Sequence, residues 1–138
     1  MRIAITAIVL GLVVGGCGLF DSGGNWSSGP FEVIWIDKHS DSHLAYRLDS
    51  TTSARIVDSC VSAAGANERY IAVRQHLPGA TAGLAYYVVV KGKYSPSREP
   101  RDALIGPLSE AEFKSLGRRL ALPALELVLP EVACNAAA

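Results

Sequence analysis

The chain has 138 residues, enough for one compact domain with a core of its own and too few for two. Its 13 basic and 13 acidic side chains cancel, which argues against a nucleic-acid partner, because neutralising phosphates needs a basic excess. A charged fraction of 19% beside an apolar fraction of 49% argues equally against intrinsic disorder.

Met1-Arg2 opens the chain and an unbroken apolar stretch, residues 3–14, follows. A positive start, a short apolar block and a small-residue exit predict a secretory signal peptide over residues 1–16. The block is shorter than the roughly 20 residues a membrane-spanning helix needs. Val14-Gly15-Gly16-Cys17 resembles the lipobox of bacterial lipoproteins, with an aliphatic residue three before the cysteine and small residues between. The resemblance implies diacylglycerol on the Cys17 thiol, cleavage just before it and acylation of the new amino terminus. The competing reading, a plain secreted protein with an ordinary thiol, leaves a lone cysteine at that place unexplained. Gly18 stands where an Asp retains enteric lipoproteins in the inner membrane. The expected location is therefore the cell envelope, anchored by lipid to the outer membrane and facing the periplasm. No cofactor other than the covalent lipid is expected. Residues 17–30 are expected to be the lipidated cysteine and a flexible tether, since Gly, Ser, Asn and Asp dominate them. Trp26 docking on the domain is the minority alternative.

The domain proper is expected over residues 31–138. Phe31–Asp37 alternates around aliphatic and aromatic residues and predicts a strand; 38–43 forms a turn, 44–49 a return strand and 50–53 another turn. Residues 55–61 have impure strand character and are expected to break at Ala64-Gly65-Ala66-Asn67. Tyr70–Gln75 and Leu84–Val90 are the clearest strands. The second is apolar on both faces, as a central strand covered on both sides should be. Residues 91–102, with Pro96 and Pro100, read as a long solvated loop.

Ser109-Glu110-Ala111-Glu112 predicts a capping box, with Leu108 and Phe113 as the hydrophobic staple. Phe113, Leu116 and Leu120 then fall on one helical stripe, and Pro123 ends the helix. A short strand is expected within 124–128. The sum is an α+β domain: a small antiparallel β-sheet of about five strands, with one C-terminal helix packed on a face. Once Cys17 is lipidated, Cys60 and Cys134 remain in an oxidising compartment and parity favours a disulfide between them. A buried free Cys60 is the alternative.

From about residue 56 to 128 the chain resembles a family of small bacterial lipoproteins carrying the domain of unknown function 3997. The pieces that match are Glu68-Arg-Tyr-Ile-Ala-Val-Arg-Gln75, Tyr86-Tyr-Val-Val-Val90 and Ile105-Gly-Pro-Leu-Ser-Glu-Ala-Glu-Phe113. Lys91 stands where many such chains carry an Asp. The resemblance implies class and compartment and lends no catalytic residue.

His39, Asp41 and His43 are the one constellation with ligand-like spacing: were residues 39–43 extended, all three side chains would face one way and hold Zn²⁺ with an open fourth position. A polar hairpin loop explains them more simply, so no metal is expected. No Gly-x-Ser-x-Gly elbow and no Gly-rich phosphate loop occurs, and no catalytic residue is assigned. Lys91, Lys93, Arg98 and Arg101 form a basic loop suited to an acidic partner or to lipid headgroups; the plain alternative is a solvated face. With the helix stripe and strands 70–75 and 84–90 expected in the core, the loops 38–43 and 91–102 are the expected recognition surface. The favoured function is a lipid-anchored module that binds an envelope protein, in the manner of an inhibitor or immunity factor. A structural role in envelope maintenance is the alternative, and a metal-dependent or hydrolytic enzyme the least favoured.

Overall fold

The computed structural model describes residues 22–78, 83–130 and 133–134. The signal peptide expected over 1–16 and the lipidation site Cys17 lie outside the described residues. Strands β1 (Ser22–Ser28), β2 (Phe31–Ile36), β3 (His43–Arg47) and β4 (Ser53–Val57) form one antiparallel sheet in chain order. Strands β5 (Val61–Ala66), β6 (Tyr70–His76), β7 (Leu84–Val90), β8 (Leu104–Leu108) and β9 (Glu126–Leu127) form a second, in the order β8-β7-β6-β5-β9. Helix α1 (Glu110–Leu120) completes a mixed α+β fold that is mostly β.

The inner faces of the two sheets share one core. Phe31, Val33, Leu44, Ile56 and Val57 of the first sheet meet Val61, Ala64, Ile71, Val73 and Val89 of the second. Burying each such aliphatic side chain is worth about 1.5–3 kcal/mol. Alternation along β6 and β7 places Ala72, Tyr86 and Val88 on the opposite face, where Phe113 of α1 stacks on Tyr86 at 4.8 Å and 20°. Strand β7 is thus covered on both sides, as its apolar run predicts. Ser109 caps the helix: its hydroxyl accepts from Glu112 N–H (3.2 Å), and the Glu112 carboxylate accepts from Ser109 N–H (2.7 Å). That backbone bond holds the Glu112 carboxyl below the usual range. The helical stripe Phe113, Leu116 and Leu120 is only half-buried, because α1 packs mainly on β7 and the edge strand β8.

The α+β class, with an antiparallel sheet of five strands and one helix, is as expected, and a second antiparallel sheet of four strands stands beside it. Two expectations are corrected. The flexible tether of residues 17–30 gives way at Ser22 to a strand. Its ladder to β2 uses main-chain groups that Gly and Ser supply as well as any residue, and Trp26 packs on the core while its indole N–H donates to Glu126 (3.1 Å). A two-residue Gly29-Pro30 turn, with Gly29 at φ 57°, returns the chain into β2. The strand expected over 55–61 is two strands in different sheets. The break falls at Asp58-Ser59-Cys60, and Ala64-Gly65-Ala66 is strand instead. Small residues are needed there for approach, not for a turn: a Cβ on Gly65 would run into the Ala124 carbonyl, where the chain leaving α1 crosses the sheet. Strand β8 escapes sequence reading because of Gly106-Pro107, a pair joined by a cis bond; at a sheet edge a proline costs no ladder bond.

Cys60 and Cys134 are joined by a disulfide, their Cα atoms 5.7 Å apart, and with Leu129 they form a small cluster beside the main core.

Two glycines give opposite expectations. Gly65→Ala should cost about 1–3 kcal/mol, since the backbone oxygen it meets cannot swing away. Gly117→Ala, in α1 with nothing within 4 Å, should stabilise by about 0.5–1 kcal/mol through helix propensity. Urea midpoints of the two variants, moving in opposite directions from wild type, check both.

Candidate functional site

The two loops singled out in the sequence lie at opposite ends of the first sheet. Residues 37–42 follow the end of β2, whereas Tyr94 packs edge-on against Phe31 (5.5 Å) and 5.0 Å from Tyr46, at the beginning of β2. Five residue steps of strand, about 17 Å, separate the two places. The loops 38–43 and 91–102 do not form one surface.

Residues His39–Asp41 make a single turn of 3-10 helix, not the extended stretch a three-ligand metal site would need. His39 turns to Trp35, ring centroids 4.3 Å apart, and His43 turns into the sheet. Among the described residues no three His, Cys, Asp or Glu side chains are grouped to hold a metal ion. His43 is 4% exposed and lines a cleft of about 410 Å³ on the outer face of the first sheet, walled by Ile34 and Ile36 and by the hydroxyl-rich turn Thr51-Thr52-Ser53. Its Nδ1 lies 2.7 Å from the Asp41 carbonyl oxygen, which only accepts, so Nδ1 carries the proton and Nε2 offers a lone pair. Burial pushes the His43 pKa below its ordinary value. The Asp41 carbonyl opposes this, the Arg55 cation adds to it, and the Asp41 and Asp58 carboxylates oppose it again. Arg55 lies 3.5 Å from Asp41 and 3.6 Å from Asp58 and is spent on them. A neutral imidazole in this setting accepts hydrogen bonds. Ser53, a hydroxyl lining the same cleft, donates to Glu32 (2.6 Å), which also takes Arg47 (2.9 Å).

At the other end, residues 91–102 are not a featureless loop. Two 3-10 turns, Lys91–Lys93 and Pro100–Asp102, bracket it, and Tyr94 between Phe31 and Tyr46 ties it to the core. Between the turns lies an open bowl of about 660 Å³ lined by Lys93, Tyr94, Ser95, Ser97, Arg98 and Asp102. Lys93 and Arg98 are exposed and share this bowl. Arg101 is exposed in the second turn outside it, and Lys91 is half-buried, with its backbone N–H on the Arg69 carbonyl (3.0 Å). Of the four basic residues picked from the sequence, two are brought together. Ser95 and Ser97, hydroxyls 2.9 Å apart, belong to the same concavity and went unmarked, because serine in a polar loop carries no signal until the loop's shape is known.

No protein-family model, no curated protein and no solved structure matches the chain. No helix among the described residues is long and apolar enough to cross a membrane.

The buried imidazole gives stability a pH dependence. The unfolded chain takes up a proton near the ordinary histidine value, while folded His43 resists until lower pH, so stability should fall as pH drops through about 6.5. His43→Asn keeps a donor for the Asp41 carbonyl and removes the titration. Denaturant midpoints measured at pH 7.5 and 5.5 should drop more for wild type than for this variant, and equal drops would refute the assignment.

Proposed function

We propose that the protein is a lipid-anchored envelope lipoprotein, held through Cys17 at the outer membrane and facing the periplasm, whose domain binds another envelope protein. What supports the anchoring is the signal-like start, the Val14-Gly15-Gly16-Cys17 sequence and the resemblance over residues 56–128 to lipoproteins with the domain of unknown function 3997. What supports binding over catalysis is the bowl at 91–102. It is polar, open and fixed to the core by three aromatic rings, and Lys93 and Arg98 line it together with Asp102. A preformed concavity with paired cations suits an acidic protein surface, and charges so placed raise the association rate more than the final affinity. An inhibitor or immunity factor needs only such a surface.

Cys17→Ser should abolish incorporation of labelled palmitate and leave the product unprocessed or soluble; label that persists in the variant refutes the anchoring. Lys93→Glu with Arg98→Glu should weaken capture of crosslinked partners from intact envelopes. Both side chains are exposed, so the pair should shift stability by no more than about 1 kcal/mol. Undiminished capture sinks the bowl as the binding surface.

A further inference from the structure

The two ends of the domain differ in what they expose. Of the five large apolar side chains most open to solvent among the described residues, Ile36 (43%), Leu77 (40%) and Leu84 (39%) lie at one end. The ladder connects them: Ile36 is at the end of β2, and Ser42, just before β3, accepts from Val61 N–H (2.7 Å). Cys60 exchanges backbone bonds with His76, and His76 pairs with Leu84. Leu77 N–H closes this hairpin on the Gly83 carbonyl (3.0 Å). Leu48 is at the opposite end, beyond Arg47, and Leu127 is on the lateral strand β9. From Leu77 to Leu84 the sequence carries no charge. The exposed charges toward this end, Asp37, Lys38 and Asp58 with Glu110 and Glu112 at the start of α1, are of mixed sign and mostly acidic.

The same end is where the chain enters the fold. Ser22, the first residue of β1, pairs with Ile36. Only residues 18–21 separate it from Cys17, so the two Cα atoms stand at most about 18 Å apart at full extension. A bilayer holding Cys17 is therefore within reach of Ile36, Leu77 and Leu84, and the opposite end is a strand length further off.

We infer that Ile36, Leu77 and Leu84 form a surface that rests on the lipid bilayer, which presents the Lys93–Arg98 bowl on the side away from the membrane. The inference rests on the anchoring through Cys17 proposed above. It assigns the basic bowl to a soluble or membrane-distal acidic protein, not to anionic headgroups. Because the contact is apolar and its charges are mixed, it does not require anionic lipid.

The test uses the full processed protein purified from membranes and reconstituted in phosphatidylcholine vesicles whose acyl chains carry a photoreactive diazirine. After illumination, mass spectrometry should find lipid adducts on peptides containing Ile36 or residues 77–84 and none on residues 91–102. Leu77→Asp with Leu84→Asp should lose the adducts at these positions while the protein still unfolds in a single cooperative transition, since neither side chain belongs to the buried core. Adducts on 91–102, or adducts confined to the segment before Ser22 on a protein that carries lipid, would overturn the orientation. The second of these would point to a protein covering the apolar end. A purified chain with no lipid mass on Cys17 would overturn the anchoring itself, and the orientation with it.

Discussion

The chain passes from one sheet to the other through Asp58-Ser59-Cys60, and the fold depends on that crossing being satisfied away from water. The Asp58 and Ser59 carbonyls leave the ladder of β4 without having joined that of β5. Gln75, 6% exposed, reaches across from β6 and donates to both, at 3.1 and 3.0 Å. Cys60 pairs with the His76 backbone, and Val61 N–H finds the Ser42 carbonyl. A carbonyl left unpaired there would cost about 1–3 kcal/mol, so one amide side chain supports the handover on which the shared core rests. The Gln75 carbonyl oxygen itself meets no hydrogen-bond donor among the described residues. The Cys60–Cys134 disulfide ties the carboxy-terminal segment to the same crossing. Closing a chain separation of 74 residues is worth about 4 kcal/mol in the chain-entropy account.

Around this crossing the molecule builds three layers: the first sheet, the second sheet, and α1 with the chain that leaves it. Strand β7 belongs to the middle layer, which is why Tyr87 and Val89 on one face and Tyr86 and Val88 on the other are all apolar. Gly65 and Ala72, opposite each other on the outer face, are both small, and the backbone at Pro123-Ala124 crosses above Gly65. Asn67 donates to the Ala121 carbonyl where the helix ends, which fixes the path of this crossing. The third layer is thus one amphipathic helix and a stretch of main chain, and the helix contributes no fully buried residue.

The sequence shows local signals well and long-range ones poorly. The capping box, the two-sided strand 84–90 and the strand 70–75 were all legible, because each depends on contacts within a few residues or on a face periodicity that survives any topology. Strand β1 was not: its residues are small and polar, and it is a strand only because β2 offers it a ladder and Trp26 an anchor. Strand β8 was hidden by Gly106-Pro107, which reads as a breaker in any position except a sheet edge. His43 was noticed for its spacing to His39. The structure separates the two, because a 3-10 turn replaces the extended backbone that the spacing argument assumed.

The separation of the two polar loops has a simple topological cause. In antiparallel sheets each strand reverses the chain, so successive connections alternate between the two ends of the domain. Residues 37–42, 58–60, 77–78 and 83 therefore fall at one end, and 29–30, 48–52, 67–69 and 91–103 at the other. Between the loop after β2 and the loop after β7 the chain runs through five strands, an odd number, and so it finishes at the opposite end. Reading residues 55–61 as one strand, with a break at 64–67, leaves four strands between the loops and places both on the same side. A single missed crossing at Asp58–Cys60 thus inverts the inferred position of the basic residues relative to the amino terminus. With the crossing restored, Leu77 and Leu84 lie at the end where β1 begins, and Lys93 and Arg98 lie at the other. The bowl that these two cations line is thus a full strand length from Ser22, at the end where β2 begins and β7 finishes.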